Sequence, residues 1–496
     1  MNIRRLLFLW PLLLAGACTY DQYDATIPVS SGYPADVEKI IVGKCATAGC
    51  HNTTSKNAAA GLDLSNWNVM FEGTNNGAVT IPYRSDFSTM CYFTNVDSSL
   101  GLVVLPTMPI NQDPLTKAEY LVLKNWIDAG APNVDGQIKF SDDLTRHKFY
   151  VVNQGCDVAH VFDADSRVAM RVIDIGVIPG ASPAESPHNV KVTPDGKYWL
   201  VIFLNADVVQ VFSTENDQLV KTIPIGGGTS GGWNTMAISS DSKKAYVIDY
   251  NNGRVAFVDI DAGTSFTSNT FPLTGNPVPN LHGVAINQSQ DTLYVTAELT
   301  NRIIKIPIND LPGYDDVNLN PLGNPFYISQ TMNPHEIIFS PDYTKYFVTC
   351  QDSNVNQVRV YSTATDQIIA AIPVGKKPLE FGVSPTYNLL FVTNTEDDFF
   401  PDMRGSISVI DLNTLAEIKR IKVGWQPHGI AVDEKKGVVY IANRNFTGGP
   451  APHHATACAG KNGYLSIIDL NTLERVADFK PEVSVDPYAI GVRIKP

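Results

Sequence analysis

The segment Cys45-Ala-Thr-Ala-Gly-Cys50-His51 combines three side chains that can hold an iron porphyrin. Two cysteines followed directly by a histidine form the pattern of covalent c-type haem attachment, although the cysteines here are two residues further apart than in the usual motif. In that chemistry both thiols bond to the haem and the imidazole binds its iron. Two alternatives remain open: a local Cys45–Cys50 disulfide, and half of a zinc site, which needs four nitrogen or sulfur ligands.

The iron of an electron-carrying haem often takes a methionine as its second ligand, so the methionines are candidates for this role. Met108 lies in Leu105-Pro-Thr-Met-Pro109, where two prolines restrict the loop that presents it. Met70 and Met90 are rivals, and each could instead fill a gap in an apolar core. We therefore predict that Met108 is the distal ligand.

Two helices are predicted to position these residues. The first covers roughly residues 34–44, just before Cys45. The second begins after Thr116, where Glu119 completes a capping box, and ends at Gly130. The apolar residues of the second helix recur on one face, and they are Tyr120, Leu123, Trp126 and Ile127.

This order of helix, Cys/His segment, Met-Pro loop and closing helix with a Trp-Ile-x-x-Gly-Ala-Pro end resembles a small c-type cytochrome domain. Such domains occur in multidomain proteins of Bacteroidetes and planctomycetes. The resemblance covers residues 34–135 and implies a small all-α domain with covalently bound haem c. It implies that Cys45 and Cys50 attach the haem. It also implies that His51 is the proximal iron ligand and Met108 the distal one.

The N-terminus has the features of a bacterial lipoprotein signal peptide over residues 1–17. Two arginines precede an apolar run that is too short to span a bilayer. The run ends in Leu14-Ala-Gly-Ala-Cys18, which resembles a lipobox and makes Cys18 the predicted lipidated residue. Residues 18–33 are then a linker. Secretion with a free Cys18 is the alternative.

Export agrees with haem attachment, because c-type haem is attached outside the cytoplasm. We therefore expect an extracytoplasmic protein that is held at the outer membrane by its lipid alone. The net charge of −13 disfavours nucleic acid as a partner. The expected partner is another redox protein.

Residues 147–496 contain a repeat of roughly 40–50 residues with four short strands in each unit, which is typical of a β-propeller. The repeats resemble the YVTN family, as in Tyr346-Phe-Val-Thr, Phe391-Val-Thr-Asn and Tyr440-Ile-Ala-Asn. The first unit lacks its innermost strand, and the C-terminal segment 486–494 is an innermost strand without a unit. Joining them predicts seven blades and a closed ring without free sheet edges. The predicted fold is thus multidomain, a small all-α cytochrome c-like domain followed by an all-β seven-bladed propeller.

Aligning the blades places a histidine at the opening of four innermost strands, although the whole chain has only nine histidines. The four are His188, His282, His335 and His428. Convergent imidazoles are common metal ligands, and the resemblance to secreted propellers that carry copper or haem at the axis encourages this interpretation, so the four histidines are candidate ligands of a second metal such as copper. The alternative is that these histidines cap strand ends by hydrogen bonding.

A disulfide between Cys156 and Cys458 is also predicted, because both lie in equivalent loops of neighbouring blades. Together these features predict a membrane-anchored haem protein in extracytoplasmic electron transfer, with the propeller as a docking platform or second-cofactor site. One alternative is a catalytic oxidoreductase propeller that receives electrons from the haem. A second alternative is a non-redox module that binds glycan or protein at the cell surface.

Overall fold

A computed structural model describes residues 30–273, 280–400, 402, 404–454, 456 and 458–493. The predicted signal peptide and Cys18 lie outside these residues. Within the described part of the chain, no helix is both long enough and apolar enough to cross a membrane.

The residues before the propeller form a small helical region. Its four α-helices, α1 to α4, are Ala35–Ile40, Trp67–Met70, Thr89–Thr94 and Lys117–Asp128. A wide helical turn, Ile41–Cys45, continues α1, and three short 3-10 turns are Lys56–Ala58, Ser85–Phe87 and Ser98–Leu100. The helix predicted before Cys45 is therefore present, although its last turn is of the wider type.

Helix α4 has the predicted boundaries and buried face. The side chain of Thr116 accepts a hydrogen bond from the backbone N–H of Glu119, and the Glu119 carboxylate accepts one from the N–H of Thr116. These two bonds satisfy N–H groups that a helix N-terminus otherwise leaves unpaired. The face of α4 that carries Tyr120, Leu123, Trp126 and Ile127 is buried. Trp126 meets Tyr33 edge to face, with the ring centroids 6.0 Å apart, which ties α4 to the segment before α1.

The rest of the chain forms short antiparallel strands. In chain order they are β1 Lys148–Asn153, β2 Val158–Asp163, β3 Ala169–Asp174, β4 Pro187–Val192, β5 Tyr198–Phe203, β6 Val208–Ser213, β7 Leu219–Pro224, β8 Trp233–Ile238, β9 Lys244–Asp249, β10 Arg254–Asp259, β11 Thr264–Thr267, β12 Leu281–Ile286, β13 Thr292–Ala297, β14 Arg302–Pro307, β15 Asp315–Asn318, β16 Pro334–Phe339, β17 Lys345–Cys350, β18 Gln357–Ser362, β19 Ile368–Pro373, β20 Lys376–Ser384, β21 Leu389–Glu396, β22 Ser406–Asp411, β23 Ala416–Lys422, β24 Pro427–Asp433, β25 Val438–Asn443, β26 Asn462–Asp469, β27 Glu474–Arg475, β28 Glu482–Val485 and β29 Pro487–Arg493.

These strands form the seven sheets of a β-propeller, as predicted. Blade 1 has the strand order β29-β1-β2-β3, so the last strand of the chain completes the first blade. Blades 2 to 6 are β4–β7, β8–β11, β12–β15, β16–β19 and β20–β23. Blade 7 is β24–β27, and β28 adds a further pairing to β26. The innermost strands, which surround the central channel, are β29, β4, β8, β12, β16, β20 and β24.

The second strand of a blade is buried on both faces because the neighbouring blades cover it, which explains the continuous apolar runs in the sequence. Strand β25 is buried throughout, whereas the outermost strand β7 is mostly exposed. Tight turns join the strands. In one of them Asp195 accepts hydrogen bonds from the Thr193 hydroxyl and the Lys197 N–H, and Gly196 has a φ of 70°, which glycine adopts without strain.

The helical region packs against blades 1 and 2, and one apolar cluster runs through both parts of the molecule. Leu123 of α4 and Met70 of α2 belong to the same cluster as Tyr150 and Trp199 of the propeller. Arg84 also joins the helical region to blade 1, because its guanidinium lies 2.9 Å from the carboxylate of Asp174. The all-α domain that the sequence predicts thus appears as a small helical region whose core continues into the propeller.

Candidate functional site

Four histidines and one tyrosine form a closed ring of side chains at one end of the central channel. Each is the second residue of its innermost strand. The ring centroids of Tyr488 and His188 are 4.1 Å apart, and those of His188 and His282 are 6.5 Å apart. The ring continues to His335 at 3.7 Å, to His428 at 6.2 Å and back to Tyr488 at 3.8 Å. The structure thus brings together all four histidines that the blade alignment selected.

The innermost strands approach one another closely where the ring forms. A side-chain carbon at Gly283 would come within 2.6 Å of the His335 carbonyl oxygen, so this position has no room for any residue but glycine. This close approach lets imidazoles from different blades meet. The alignment positions in blades 3 and 6 are occupied by Asn234 and Leu379, and they supply no imidazole.

Hydrogen bonds hold three of the four imidazoles by their Nδ1 atoms. His335 Nδ1 lies 2.9 Å from Oε1 of Glu298, and Gln351 donates a hydrogen bond to the same carboxylate oxygen. His428 Nδ1 is 3.1 Å from the carbonyl oxygen of Tyr488. His188 Nδ1 is 2.9 Å from Nε2 of Gln154. These contacts agree with the alternative interpretation, in which the histidines hydrogen-bond near strand ends. They involve only the Nδ1 atoms, so they do not explain what the Nε2 atoms bind.

Burial controls the charge of most of these imidazoles. It lowers the pKa of His188 and His428 well below the usual value and that of His282 to about 3. Burial, the largest single effect, acts in the same direction on His335, but the hydrogen bond and charge of Glu298 together with the charges of Glu380 and Glu336 outweigh it and raise the pKa of this imidazole. His188, His282 and His428 are therefore neutral near pH 7.

Two glutamates that the sequence did not single out lie beside the ring, one residue after the ring positions of blades 5 and 6. They are Glu336 and Glu380. The Glu380 carboxylate comes together with the imidazoles of His335 and His428, such that one ligand atom from each lies within 4.8 Å of the others. His188 and His282, the other two predicted ligands, are not part of this group. Burial and the neighbouring Glu380 raise the pKa of Glu336 to about 8.

A cavity of about 600 Å³ occupies the channel beyond the ring. The second halves of the innermost strands line it with apolar side chains, including Met236, Ile286 and Phe339. Its charged lining residues are Lys191, Glu336 and Glu380. An apolar cavity with a few convergent polar groups is the usual form of a small-ligand site.

The Cys/His segment forms a compact turn at the end of the helical turn that follows α1. The His51 N–H donates to the carbonyl of Cys45 at 3.1 Å, and the Cys50 N–H donates to that of Thr47 at 3.0 Å. Both cysteines are free thiols, so the structure does not contain the alternative local disulfide. Burial, with a smaller contribution from the nearby Cys50, raises the pKa of Cys45 to about 11. Burial lowers the pKa of His51, whose Nδ1 is buried without a hydrogen-bond partner.

The three candidate methionines lie in different surroundings. Met70 and Met90 are buried in the core, and the hydroxyl of Thr80 is 3.6 Å from the first sulfur and 3.8 Å from the second. Met108 is only half-buried and lies in the loop before α4. In this loop Leu105 is 80% exposed, although it is apolar.

A disulfide joins Cys156 to Cys458, the same pair that the blade alignment selected, with the Cα atoms 5.6 Å apart. It links the loop between β1 and β2 of blade 1 to the long insertion between β25 and β26 of blade 7. The remaining described cysteines, Cys91 and Cys350, are buried free thiols.

Comparison with known proteins shows a similar fold only. No family model matches the chain, and no curated protein matches it. A putative 6-phosphogluconolactonase from Bacteroides fragilis is 14% identical over 72% of this chain and 99% of its own, with a TM-score of 0.52. A functionally unknown protein from Desulfotomaculum acetoxidans is 15% identical over 70% of this chain and 98% of its own, with a TM-score of 0.50. At this identity the likeness supports the propeller fold and says nothing about activity.

Proposed function

We propose that the chain is an extracytoplasmic electron-transfer protein that carries a haem covalently attached through Cys45 and Cys50. A haem, when bound, supplies an iron that gains or loses one electron. His51 would hold this iron through an imidazole nitrogen, and Met108 through its sulfur. The observation that carries the proposal is the compact turn in which two free thiols precede a partly buried imidazole.

The chemistry of these donors fits the group. The thiols are not consumed by a disulfide, and burial keeps the imidazole of His51 in the neutral form that binds iron. Its buried Nδ1 lacks a hydrogen-bond partner, so the side chain is not satisfied by the protein alone. The loop around Met108 exposes the apolar side chains of Val103, Leu105 and Ile110, which would be stabilised by an apolar group that covers them.

The proposed location is the outer membrane, with the chain exported and lipidated at Cys18. The disulfide between Cys156 and Cys458 supports an oxidising compartment, because such bonds rarely persist in the cytoplasm. In this proposal the haem exchanges electrons with a second redox protein, and the propeller is its docking platform.

A pyridine haemochrome assay tests the proposal on protein produced together with a haem c maturation system. We expect wild-type protein to keep its haem after acid–acetone extraction, because thioether bonds survive this treatment. The double variant Cys45→Ser/Cys50→Ser should lose all covalent haem. Cys350→Ala, which removes a free thiol far from the motif, is the matched control and should keep it. Colourless extracted wild-type protein without added porphyrin mass would overturn the proposal.

A second candidate function is favoured by the cavity of about 600 Å³ beside the ring of histidines. In this candidate the propeller is itself a catalytic oxidoreductase that acts on a small molecule and receives its electrons from the haem. Lys191, Glu336 and Glu380 are the charged groups that a substrate in the cavity would meet. This candidate predicts that the wild-type protein turns over a small redox substrate and that Glu336→Gln loses this activity without losing haem. Such a result would favour catalysis over electron transfer alone.

A further inference from the structure

We infer that His335, His428 and Glu380 form a binding site for a divalent transition-metal ion of the Zn²⁺ type, at the inner end of the channel cavity. One ligand atom from each side chain lies within 4.8 Å of the other two, a separation that one ion can span with a small adjustment of the side chains. The inference does not depend on the haem, which the proposal places on a different part of the chain.

His335 offers an unsatisfied nitrogen to this site. Its side chain is 5% exposed, and its Nε2 atom is buried with no hydrogen-bond partner. A buried polar atom without a partner costs free energy, so the structure gains stability when a ligand occupies this position. The other nitrogen, Nδ1, is already engaged by Glu298 at 2.9 Å.

The hydrogen bond between His335 and Glu298 is of the kind that orients a metal-binding histidine. A ligating imidazole commonly donates its second N–H to a carboxylate, which orients the ring and makes the free nitrogen a stronger ligand. Gln351 donates to the same carboxylate and holds it in place. The ring of His282 packs against the imidazole of His335 at a tilt of 31°, with the centroids 3.7 Å apart, and restricts its rotation.

His428 is oriented by a similar contact with the backbone. Its Nδ1 lies 3.1 Å from the carbonyl oxygen of Tyr488, which can accept the N–H and leave Nε2 as the lone-pair nitrogen. The guanidinium of the nearby Arg444 is paired with the carboxylate of Asp486, through Nε at 2.5 Å and Nη2 at 2.8 Å, which partly compensates its positive charge.

Glu380 supplies the oxygen ligand and also connects the site to the cavity, since it is one of the cavity-lining residues. The cavity thus provides an entry path for an ion. Two imidazoles and one carboxylate are the protein ligands of catalytic zinc sites, which leave one position for water or substrate. In this chain the vacant position would face the cavity, where Glu336 and Lys191 lie. The set contains no sulfur ligand, which disfavours Cu⁺.

Isothermal titration calorimetry with ZnCl₂ tests the site on the full-length protein after its metal ions have been removed. Elemental analysis after dialysis then counts the zinc that stays bound. We expect a single tight zinc ion per chain, counted separately from any haem iron. Glu380→Gln and His428→Gln should each weaken zinc binding at least about 100-fold, since each removes a direct ligand. Glu298→Gln removes only the supporting carboxylate and should weaken binding by about 10–100-fold.

His188→Gln is the matched control, because this histidine belongs to the same ring but lies outside the group of three ligands. Its zinc affinity should stay within about threefold of the wild-type value. Circular dichroism and a thermal melt of each variant show whether it is folded. Glu380→Gln and His428→Gln lie in different blades, so one of them still tests the site if the other fails to fold.

Two outcomes would overturn the inference. The first is wild-type protein that retains no zinc after dialysis. The second is zinc binding that survives Glu380→Gln and His428→Gln but is lost in His454→Gln, which would place the ion on the surface insertion of blade 7. Neither outcome affects the haem proposal, because the iron content and the haemochrome spectrum report on that proposal independently.

Discussion

His160 on β2 shows how the surroundings of a single residue control its charge. Its side chain is 4% exposed, and its ring meets that of Phe87 from the helical region at a centroid distance of 5.9 Å. Asn153 Nδ2 lies 2.9 Å from His160 Nδ1, which suits an imidazole that accepts a hydrogen bond there. Burial, with a smaller contribution from Arg84, lowers the pKa of His160 to about 3. The residue therefore stays neutral in the folded protein.

This depressed pKa predicts a dependence of stability on pH. Below about pH 6.5 the unfolded chain binds a proton at His160 that the folded protein does not, so the free energy of unfolding falls by about 1.4 kcal/mol per pH unit until about pH 3. Above pH 6.5 the residue makes no such contribution. Urea unfolding at pH 7 and pH 5 should show a loss of stability that is about 2 kcal/mol smaller in His160→Phe than in wild-type protein. Equal losses in the two proteins would contradict this account.

At the scale of elements, the loop between α3 and α4 is irregular but held by specific bonds. The side-chain amide of Asn95 donates to the carbonyls of Gly101 and Leu102, both at 3.1 Å. The Met108 N–H donates to the carbonyl of Phe93 at 2.6 Å. These contacts join the interior of the loop to the end of α3, so Met108 occupies a defined position without being packed in the core.

Met108 is half-buried in a loop that exposes apolar side chains, which favours it over the two core methionines as the ligand of the haem iron. In Met108→Ala, the absorption band of the sulfur–iron bond at the red end of the spectrum should disappear, while the haem stays attached through the two thioethers. Met70→Leu and Met90→Leu are the matched controls, because both sulfurs face the hydroxyl of Thr80 in the core, and the band should persist in both. If the band is lost in one of the controls but stays intact in Met108→Ala, the methionine replaced in that control is the iron ligand.

At the scale of the whole molecule, the ring of blades is closed in two ways. Strand β29 pairs with β1, so that the first and last strands of the propeller meet within blade 1. The disulfide between Cys156 and Cys458 then connects blade 1 covalently to blade 7 across 302 residues. Together they close the ring where the last blade meets the first.

The covalent connection should contribute measurably to stability, because a disulfide restricts the unfolded chain, most of all when the enclosed loop is long. The double variant Cys156→Ala/Cys458→Ala should lose about 2–4 kcal/mol of unfolding free energy, measured by urea unfolding. Reductant should shift the wild-type midpoint to that of the variant and leave the variant unchanged. Identical midpoints for oxidised wild-type and variant protein would show that β29 alone closes the ring.

The repeating pattern of the chain was sufficient to predict the propeller. Apolar strands, tight turns and a regular period are local features, and an alignment of the units identified the ring positions of the histidines and the pairing of the C-terminal strand with the first blade. The capping box at Thr116 and Glu119 likewise predicted the start of α4, because a helix N-terminus is determined by residues close in sequence.

The tertiary structure alone decided which of these residues meet. The sequence grouped His188 and His282 with His335 and His428, but the structure places Glu380, in a blade without a ring histidine, beside the last two. It also continues the core of the helical region into the first blades. Distances between side chains on different blades depend on how closely the innermost strands approach around the axis, and this approach follows from the closure of the ring and not from any spacing along the chain.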